Sequence, residues 1–242
     1  MKFINIVTAA CTLTKGVNAF ASFPESSTAS VSALHSTMIP GEIDTEALYA
    51  ASSFAIVPTD LLARAKEVLS PNIGIGTKDN GACLADDFEF CAAVVGPIPR
   101  DEYLEALGNF SLENSFDIQQ NYYGFHVDPM QTNRVWFFTR QVAKHVNEFA
   151  GVEATGKELT MPPQLMHMDF NEKGLVKEFG FYTVDRRQGN TGGLGGALGY
   201  FYGVGKPLPF PEARPFKPSF KYRTLQFIGA VAKKFKGPKK ED

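Results

Sequence analysis

The sequence of 242 residues is long enough for one domain with extensions, and too short for two ordinary domains once its ends are set aside. Hydrophobic residues make up 44% of the chain and charged residues 21%, which excludes a chain that is disordered throughout. The 24 basic and 26 acidic side chains leave a net charge of -2, so no global charge favours nucleic acid, and no nucleic-acid partner is expected.

The first 40 residues predict two targeting segments. A lysine followed by a mostly apolar run, residues 2–13, is typical of a signal peptide and is too short to span a bilayer. Val17 and Ala19 occupy the two positions that a signal peptidase reads, so cleavage after Ala19 is expected and residues 1–19 are the predicted signal peptide. Residues 20–40 are rich in Ser and Thr and hold one acidic residue, Glu25, as transit peptides do.

The cleavage site itself has a recognisable form. Asn18–Ala21, with Phe20 directly after the cut, resembles the Ala-Phe motif of diatom-type presequences, which enter a complex plastid through the secretory route. This resemblance implies a plastid protein. The alternative is a secreted protein with a Ser-rich linker.

Residues 41–80 predict two N-terminal helices. The first spans Asp44–Ala55. Thr59 is expected to N-cap the second, which ends before Pro71. Its apolar face consists of Leu61, Leu62, Ala65, Val68 and Leu69.

Residues 81–215 predict one α+β domain, because helices are followed by a run of antiparallel strands instead of alternating with them. A strand pattern runs through Phe88 and Phe90 to Val94, and a helix follows over Pro99–Leu107. A turn at Asn171–Gly174 joins the last two strands, and its glycine permits positive φ. The remaining predicted strands are Gln119–Val127, Asn133–Val142, Leu159–Asn171 and Leu175–Asp185.

These elements resemble the nuclear transport factor two-like, or SnoaL-like, superfamily. The resemblance is carried by the strand beginning at Asp86, the Arg134–Arg140 strand, Thr155–Lys157 and the Asn171–Glu178 turn and strand. It implies a cone in which a curved antiparallel sheet packs on N-terminal helices, and a fold of this kind does not settle function. The Gly/Pro-rich block 185–215 resembles an extension of SnoaL-like proteins of photosynthetic eukaryotes, which implies no activity.

The resemblance also implies where an acid or base would be. Enzymes with this fold place such a residue inside the cone, and in SnoaL-type polyketide cyclases it is an aspartate on the strand that starts at the Gly174 turn. Here Gly180 or Phe181 occupies that place, and Asp185 follows only where the strand should leave the cone. The family base is therefore expected to be absent, which leaves open whether the protein is an enzyme.

Other polar residues are candidates for chemistry. His167 and Asp169 share one face of a strand. One face of another strand carries Arg134, Trp136, Phe138 and Arg140. If these faces line the cone, His167 is the candidate general base and Arg140 the candidate holder of an anionic oxygen. The predicted pocket residues are then Tyr103, Trp136, Arg140, His167 and Tyr182.

The alternative places the same residues outside the cone. The Arg/Trp face would then be solvated or would face a second copy in a homodimer, and His167 would be a satisfied polar side chain on the outside of the sheet. His126, His145 and His167 show no metal-ligand spacing, so no metal is expected. The glycines of 189–199 fit no nucleotide-binding motif and predict close packing, so no cofactor is expected.

The end of the chain, 216–242, predicts a basic amphipathic tail. Within 219–236 an apolar stripe at helical spacing runs beside lysines and arginines. Such a helix can lie on an anionic membrane surface. The alternative is that the stripe packs on the protein's own domain or on a second copy.

Two functions remain open from the sequence. The first is a non-catalytic binding or assembly module whose cone holds a small apolar ligand. The second is a cofactor-free isomerase, cyclase or dehydratase acting on a small hydrophobic plastid metabolite, with His167, Asp169 and Arg140 as catalytic candidates. Convergence of at least two among these groups and Tyr182 within hydrogen-bond reach in a deep apolar pocket would favour the second.

Overall fold

A computed structural model describes residues 39–110 and 112–235. The predicted signal peptide and nearly all of the transit-peptide-like segment lie outside the described residues. The chain divides into two units, Met1–Ile43 and Asp44–Asp242. Of the first unit only 39–43 is described, where the Glu42 amide donates to the Ile39 carbonyl at 3.0 Å.

The second unit contains helices before, within and after a run of strands. Its elements in chain order are α1 (Thr45–Ala50), α2 (Pro58–Val68), β1 (Leu84–Phe90), β2 (Ile98–Pro99), α3 (Arg100–Phe110), α4 (Leu112–Ser115), β3 (Phe116–Gln119), β4 (Tyr122–Val127), β5 (Arg134–Thr139), β6 (Val142–His145), β7 (Glu158–Thr160), β8 (Gln164–Phe170), β9 (Val176–Thr183), α5 (Gly196–Gly203), a short 3-10 helix (Pro211–Ala213) and α6 (Phe220–Phe235).

The strands form two sheets. A six-stranded sheet has the order β2-β1-β9-β8-β5-β4, in which only the β1–β9 pair is parallel. A three-stranded antiparallel sheet has the order β3-β6-β7. The curved, mostly antiparallel sheet packed on N-terminal helices is the α+β cone that the SnoaL-like resemblance implies, and this fold prediction is confirmed.

The larger hydrophobic core lies between the six-stranded sheet and helices α2 and α3. Leu61, Ala65 and Val68 of α2 are fully buried, as the predicted apolar face requires. They pack with residues of the sheet such as Phe137 and Met168. We call this the helix-side core.

A second core lies on the three-stranded sheet. Tyr200 and Phe201 of α5 pack there with Phe116, Leu159 and Met161. The Tyr200 hydroxyl donates to Gln141 Oε1 at 2.8 Å. The glycine-rich segment therefore closes this sheet, in line with the close packing expected from its sequence.

The predicted start of the first helix agrees with the structure, and the predicted N-cap of the second does not. Asp44 caps α1, because its carboxylate accepts from the Ala47 amide at 3.0 Å. The prediction that Thr59 caps α2 is wrong. The N-cap is Val57, because Pro58, which has no N–H to donate, already occupies the first helical position.

Several predicted strands are shorter than expected. β4 begins at Tyr122 and not at Gln119, and β5 ends at Thr139, because Val142 already belongs to β6 in the other sheet. β1 ends at Phe90 and not at Val94, because the Ala92 amide turns back to the Val95 carbonyl at 2.8 Å. The segment Leu159–Asn171 is two strands in different sheets, β7 and β8. Pro162 and Pro163 separate them, since neither can donate to a strand neighbour.

Candidate functional site

Strands β5, β8 and β9 present alternate residues to opposite faces of the six-stranded sheet. Val135, Phe137 and Met168 point into the helix-side core. Their chain neighbours point the other way, and the register pairs Arg134 with Asp169. We call this second side the outer face, and it carries Arg134, Trp136, Phe138, Leu165, His167, Asp169, Glu178 and Tyr182.

The charged side chains of the outer face form one connected network. Arg134 binds Asp169 twice, with Nε–Oδ1 at 2.5 Å and Nη2–Oδ2 at 2.7 Å. Arg134 Nη2 also donates to Glu178 Oε1 at 3.1 Å, and the same oxygen lies 2.8 Å from His167 Nε2. Gln131 Nε2 donates to Asp169 Oδ2 at 2.7 Å. We call these five residues the outer-face network.

The centre of this network is shielded from water. The side chain of Arg134 is 18% exposed and that of Asp169 is 10% exposed. Charges removed from water are stabilised only by close partners and hydrogen bonds, which the bidentate contact supplies. The network is therefore a paired, oriented set of charges and contains no isolated buried ion.

His167 is fully buried at the edge of the network. Burial lowers the pKa of His167 below its ordinary value; the hydrogen bond to Glu178 opposes this, and the Arg134 guanidinium adds to it. The neutral ring donates from Nε2–H to the Glu178 carboxylate. Its Nδ1 atom has no hydrogen-bond partner among the described residues, so the imidazole keeps one unused acceptor.

Two aromatic rings flank the imidazole. The Trp136 ring centroid lies 5.4 Å from that of His167, and the Tyr182 centroid lies 5.6 Å away in a stacked arrangement. Trp136 is itself held in place, because Nε1 donates to Asp128 Oδ2 at 2.8 Å. Burial alone would raise the pKa of Asp128, but this bond and two backbone amides outweigh it and lower the pKa.

Gly180 allows this packing. It lies opposite His167 on the neighbouring strand. A Cβ atom at this position would be 1.7 Å from the Cys91 carbonyl oxygen and 2.7 Å from His167 Cε1. The backbone thus excludes any side chain, including an aspartate, at one of the two positions where the resemblance places the family base.

Trp136, His167 and Tyr182, three of the predicted pocket residues, are neighbours on the outer face. Asp169, the catalytic candidate beside them, is bound to Arg134. These residues are on the side of the sheet away from the helices, which is the arrangement of the second sequence-based alternative. Formation of a homodimer through this face stays a prediction.

The other two predicted pocket residues lie elsewhere. Arg140 follows the end of β5, about 13 Å along the strand from Trp136, and donates to the Tyr123 hydroxyl at 3.2 Å. Tyr103 is 5% exposed within the helix-side core. The five predicted side chains therefore do not line one cavity.

Sequence reasoning did not single out Glu178, Gln131 or Asp128. Glu178 is four residues before Tyr182 on the same strand, so the alternation that selected Tyr182 also places Glu178 on the outer face. Gln131 and Asp128 lie in the β4–β5 turn. No periodicity marks a turn residue, and only the fold brings both to the network.

A separate groove of about 630 Å³ lies where residues of the two cores meet. Its charged side chains are Lys78, paired with Glu113, and the exposed Asp117. Among the residues that line its apolar part are Leu69, Ile75, Phe116, Ile118, Tyr122 and Val146.

Tyr122 is the main polar group in this apolar part. Burial raises the pKa of Tyr122 to about 12, so at neutral pH the phenol keeps its proton. Among the described residues the Tyr122 hydroxyl has no hydrogen-bond partner, and it is not enclosed by protein. It can therefore donate to a molecule in the groove.

Ile75 lines the groove with an unusual backbone. Its φ is 55°, a value that a β-branched residue adopts only under constraint. The Ile75 amide donates to the Val68 carbonyl at 3.0 Å, and the Tyr103 hydroxyl approaches its carbonyl at 3.5 Å. The loop after α2 is thus held in one conformation beside the groove.

No group of three or more His, Cys, Asp or Glu in the described part of the chain could hold a metal ion. The glycines at the start of α5 are tightly packed: a Cβ atom at Gly196 would lie 2.5 Å from the Phe181 ring, and one at Gly195 would lie 2.5 Å from Gln164 Nε2. These glycines therefore frame no open phosphate cradle.

Comparison with solved structures places several proteins beside this chain. A Jannaschia protein described as a SnoaL-like polyketide cyclase matches with 14% identity over 55% of this chain and 89% of its own, at a TM-score of 0.38. An LEH-like epoxide hydrolase of M. tuberculosis matches with 9% identity over 52% of this chain and 83% of its own, at a TM-score of 0.37. TsrD of Streptomyces laurentii matches with 10% identity over 60% of this chain and 96% of its own, at a TM-score of 0.36. No family model and no curated protein matches the chain.

Proposed function

We propose that the domain is a non-catalytic module that binds a small apolar molecule in the groove between the two cores. The observation that carries the proposal is that the buried ionisable side chains and the groove lie in different parts of the domain. On one side of the sheet, the buried His167 is hydrogen-bonded to Glu178 and the buried Asp169 to Arg134. The groove draws its lining from the cores and contains no histidine.

The lining indicates the class of ligand. A volume of about 630 Å³ is within the range of small-molecule pockets, which are mostly apolar with a few polar groups that orient the ligand. Lys78, Glu113 and Asp117 together carry one net negative charge, which disfavours an anionic ligand such as a free carboxylate. A neutral apolar molecule with a carbonyl or ether oxygen fits, since that oxygen could accept from Tyr122.

Nile red, a neutral apolar dye with a carbonyl group, is a suitable probe. Val146 lines the groove and is 40% exposed, whereas Val184 is 57% exposed and lies outside it. Val146→Glu should weaken dye binding at least tenfold in a fluorescence titration, and Val184→Glu should leave it unchanged. Equal binding by both variants, with equal melting temperatures, would reject the groove as the site.

Tyr122→Phe tests the proposed hydrogen bond. Removing one hydroxyl should weaken binding of the dye about fivefold, the effect of one lost hydrogen bond of about 1 kcal/mol. The apolar contacts remain, so binding should not be abolished. An affinity unchanged by this substitution would show that the hydroxyl does not orient the ligand.

A second candidate function is a cofactor-free isomerase, cyclase or dehydratase acting at the outer face. It is favoured by the unused Nδ1 acceptor of His167, because a neutral imidazole oriented by a carboxylate is a competent general base. A substrate would have to part Trp136 and Tyr182 to reach it. Loss of turnover of a hydrophobic substrate in His167→Gln, with dye binding retained, would favour this candidate over the first.

We also propose that the protein acts inside a plastid, on the strength of the consecutive signal-like and transit-like segments and of Phe20. A fusion of residues 1–45 to a fluorescent protein should accumulate in the plastid. Phe20→Ala should leave the fusion outside the innermost compartment. Accumulation of the unaltered fusion in the medium would instead favour the secreted alternative.

A further inference from the structure

Helix α6 leaves its apolar side chains in solvent. Phe220 is 83% exposed, Phe227 70%, Leu225 66% and Ile228 57%. None of these four residues belongs to either hydrophobic core. The apolar stripe predicted for the tail thus exists on a helix, and the described part of the chain does not cover it.

The same helix carries only positive charge. Phe220–Phe235 contains Lys221, Arg223, Lys233 and Lys234 and no acidic residue. Over residues 214–242, nine of the 24 basic side chains and only two of the 26 acidic ones occur, so this segment carries a net +7 and the rest of the chain -9. The net charge of the whole chain is close to zero, although its positive charge is concentrated in this segment.

A helix of this kind needs an external surface. Sixteen residues with an interior glycine, Gly229, form a marginal helix in water unless the apolar side is buried. The surface that complements it must be apolar and anionic at once. The interface of an anionic bilayer has both properties, and basic side chains at the border of the stripe reach its headgroups.

We propose that α6 binds this protein peripherally to an anionic lipid surface, with Phe220, Phe227 and Ile228 inserted among the acyl chains. None of the described helices is both long and apolar enough to cross a membrane, and α6 lies in the plane of the interface instead. Each basic residue near the surface contributes about fivefold to binding, and the attraction is screened within a Debye length. This proposal is independent of the groove.

Flotation with vesicles of phosphatidylglycerol and phosphatidylcholine tests it on the full chain. We expect binding to mixed vesicles at 0.05 M salt, at least a tenfold loss at 0.5 M salt, and at least a tenfold loss on pure phosphatidylcholine. The same chain ending at Pro218 should not bind above the phosphatidylcholine level. Absence of binding by the full chain at low salt would overturn the proposal.

A matched pair of substitutions separates insertion from charge. Phe227→Glu and Gln226→Glu lower the charge of the helix equally, but Gln226 lies about 100° away around the helix, off the stripe. Phe227→Glu should reduce flotation at least tenfold and Gln226→Glu less than threefold, with melting temperatures unchanged. Equal flotation of the two variants would overturn insertion of the stripe.

Two further results would assign the stripe to protein contacts and overturn the proposal. The first is a fall of more than about 5 °C in melting temperature for Phe227→Glu without lipid, which would show that the stripe packs on its own domain. The second is a change from dimer to monomer in sedimentation for the same variant, which would show that a second copy covers it.

Discussion

The two faces of the six-stranded sheet are built from the same strands and differ in kind. On β5 and β8, Phe137 and Met168 bury apolar surface against helices, while Arg134 and Asp169 pair on the opposite side. The helix-side core is stabilised by burial of apolar surface, which has no preferred direction and tolerates small shifts of the side chains. The outer face is stabilised by hydrogen bonds, which weaken when the same small shifts change their distances and angles. Period-two alternation lets one strand serve both purposes.

Gly180→Ala should produce one of the two largest effects, because the outer face leaves no room for a side chain at this position. The new methyl group would overlap the Cys91 carbonyl and the His167 ring. We expect the free energy of unfolding in urea to fall by about 3–4 kcal/mol, above the usual range for overpacking. Gly229→Ala, where a Cβ atom meets open space, is the control and should not destabilise the protein.

Phe137→Ala and Phe138→Ala compare the two faces at adjacent positions. Phe137 is fully buried and stacks on Phe125, with ring centroids 4.9 Å apart. Its truncation should lower the free energy of unfolding by about 3–4 kcal/mol. Phe138 is half-buried on the outer face, so its truncation should lower the free energy of unfolding by about 1 kcal/mol. Equal losses would mean that the outer face is covered in solution, for example by a second copy.

Asp169→Ala tests the outer-face network. It leaves the largely shielded Arg134 with Glu178 as its one carboxylate partner among the described residues, so we expect a loss of about 2–3 kcal/mol in the free energy of unfolding. The exposed pair Lys177–Asp87 is the control, and its disruption should change stability by about 0.5 kcal/mol or less. A loss below about 1 kcal/mol for Asp169→Ala would indicate a network open to water.

The smallest effect concerns pH. Because the pKa of His167 is lower in the folded protein than in the unfolded chain, the folded state binds fewer protons between the two values. The free energy of unfolding should therefore fall as pH drops from 7 through about 6.5 and below, by at most about 1.4 kcal/mol per pH unit. His167→Gln should remove this dependence, and the exposed His126→Gln should keep it. The same slope in His167→Gln would assign it to another group.

Local structure was largely predictable where a local signal exists. Asn171 closes the β8–β9 turn through its side chain and Gly174 adopts a φ of 71°, as an Asn-to-Gly turn requires. The alternation of β5 and β8 was also read correctly. Alternation cannot say which set of residues faces the helices, because Trp136 and Phe138 are as apolar as their inward neighbours.

The candidate site was less predictable, since it depends on contacts between distant residues. Arg134 and Asp169 are 35 residues apart, and their carboxylate–guanidinium contact requires the β5–β8 register. Glu178 was overlooked because nothing in its local sequence distinguishes it from a solvated strand residue. The groove combines the loop after α2 with β3 and β4, which no single motif spans.

By itself, the sequence determined the α+β class, the alternation of its strands, the separation of segment 214–242 with a net charge of +7 from a remainder with -9, and the helical spacing of the apolar stripe. These follow from composition and local periodicity. Only the tertiary structure decided that His167 and Trp136 are on the outer face, that Gly180 can carry no side chain, and that the groove lies elsewhere. Each of these depends on which surfaces the helices cover, and that is settled by packing between segments far apart in the chain.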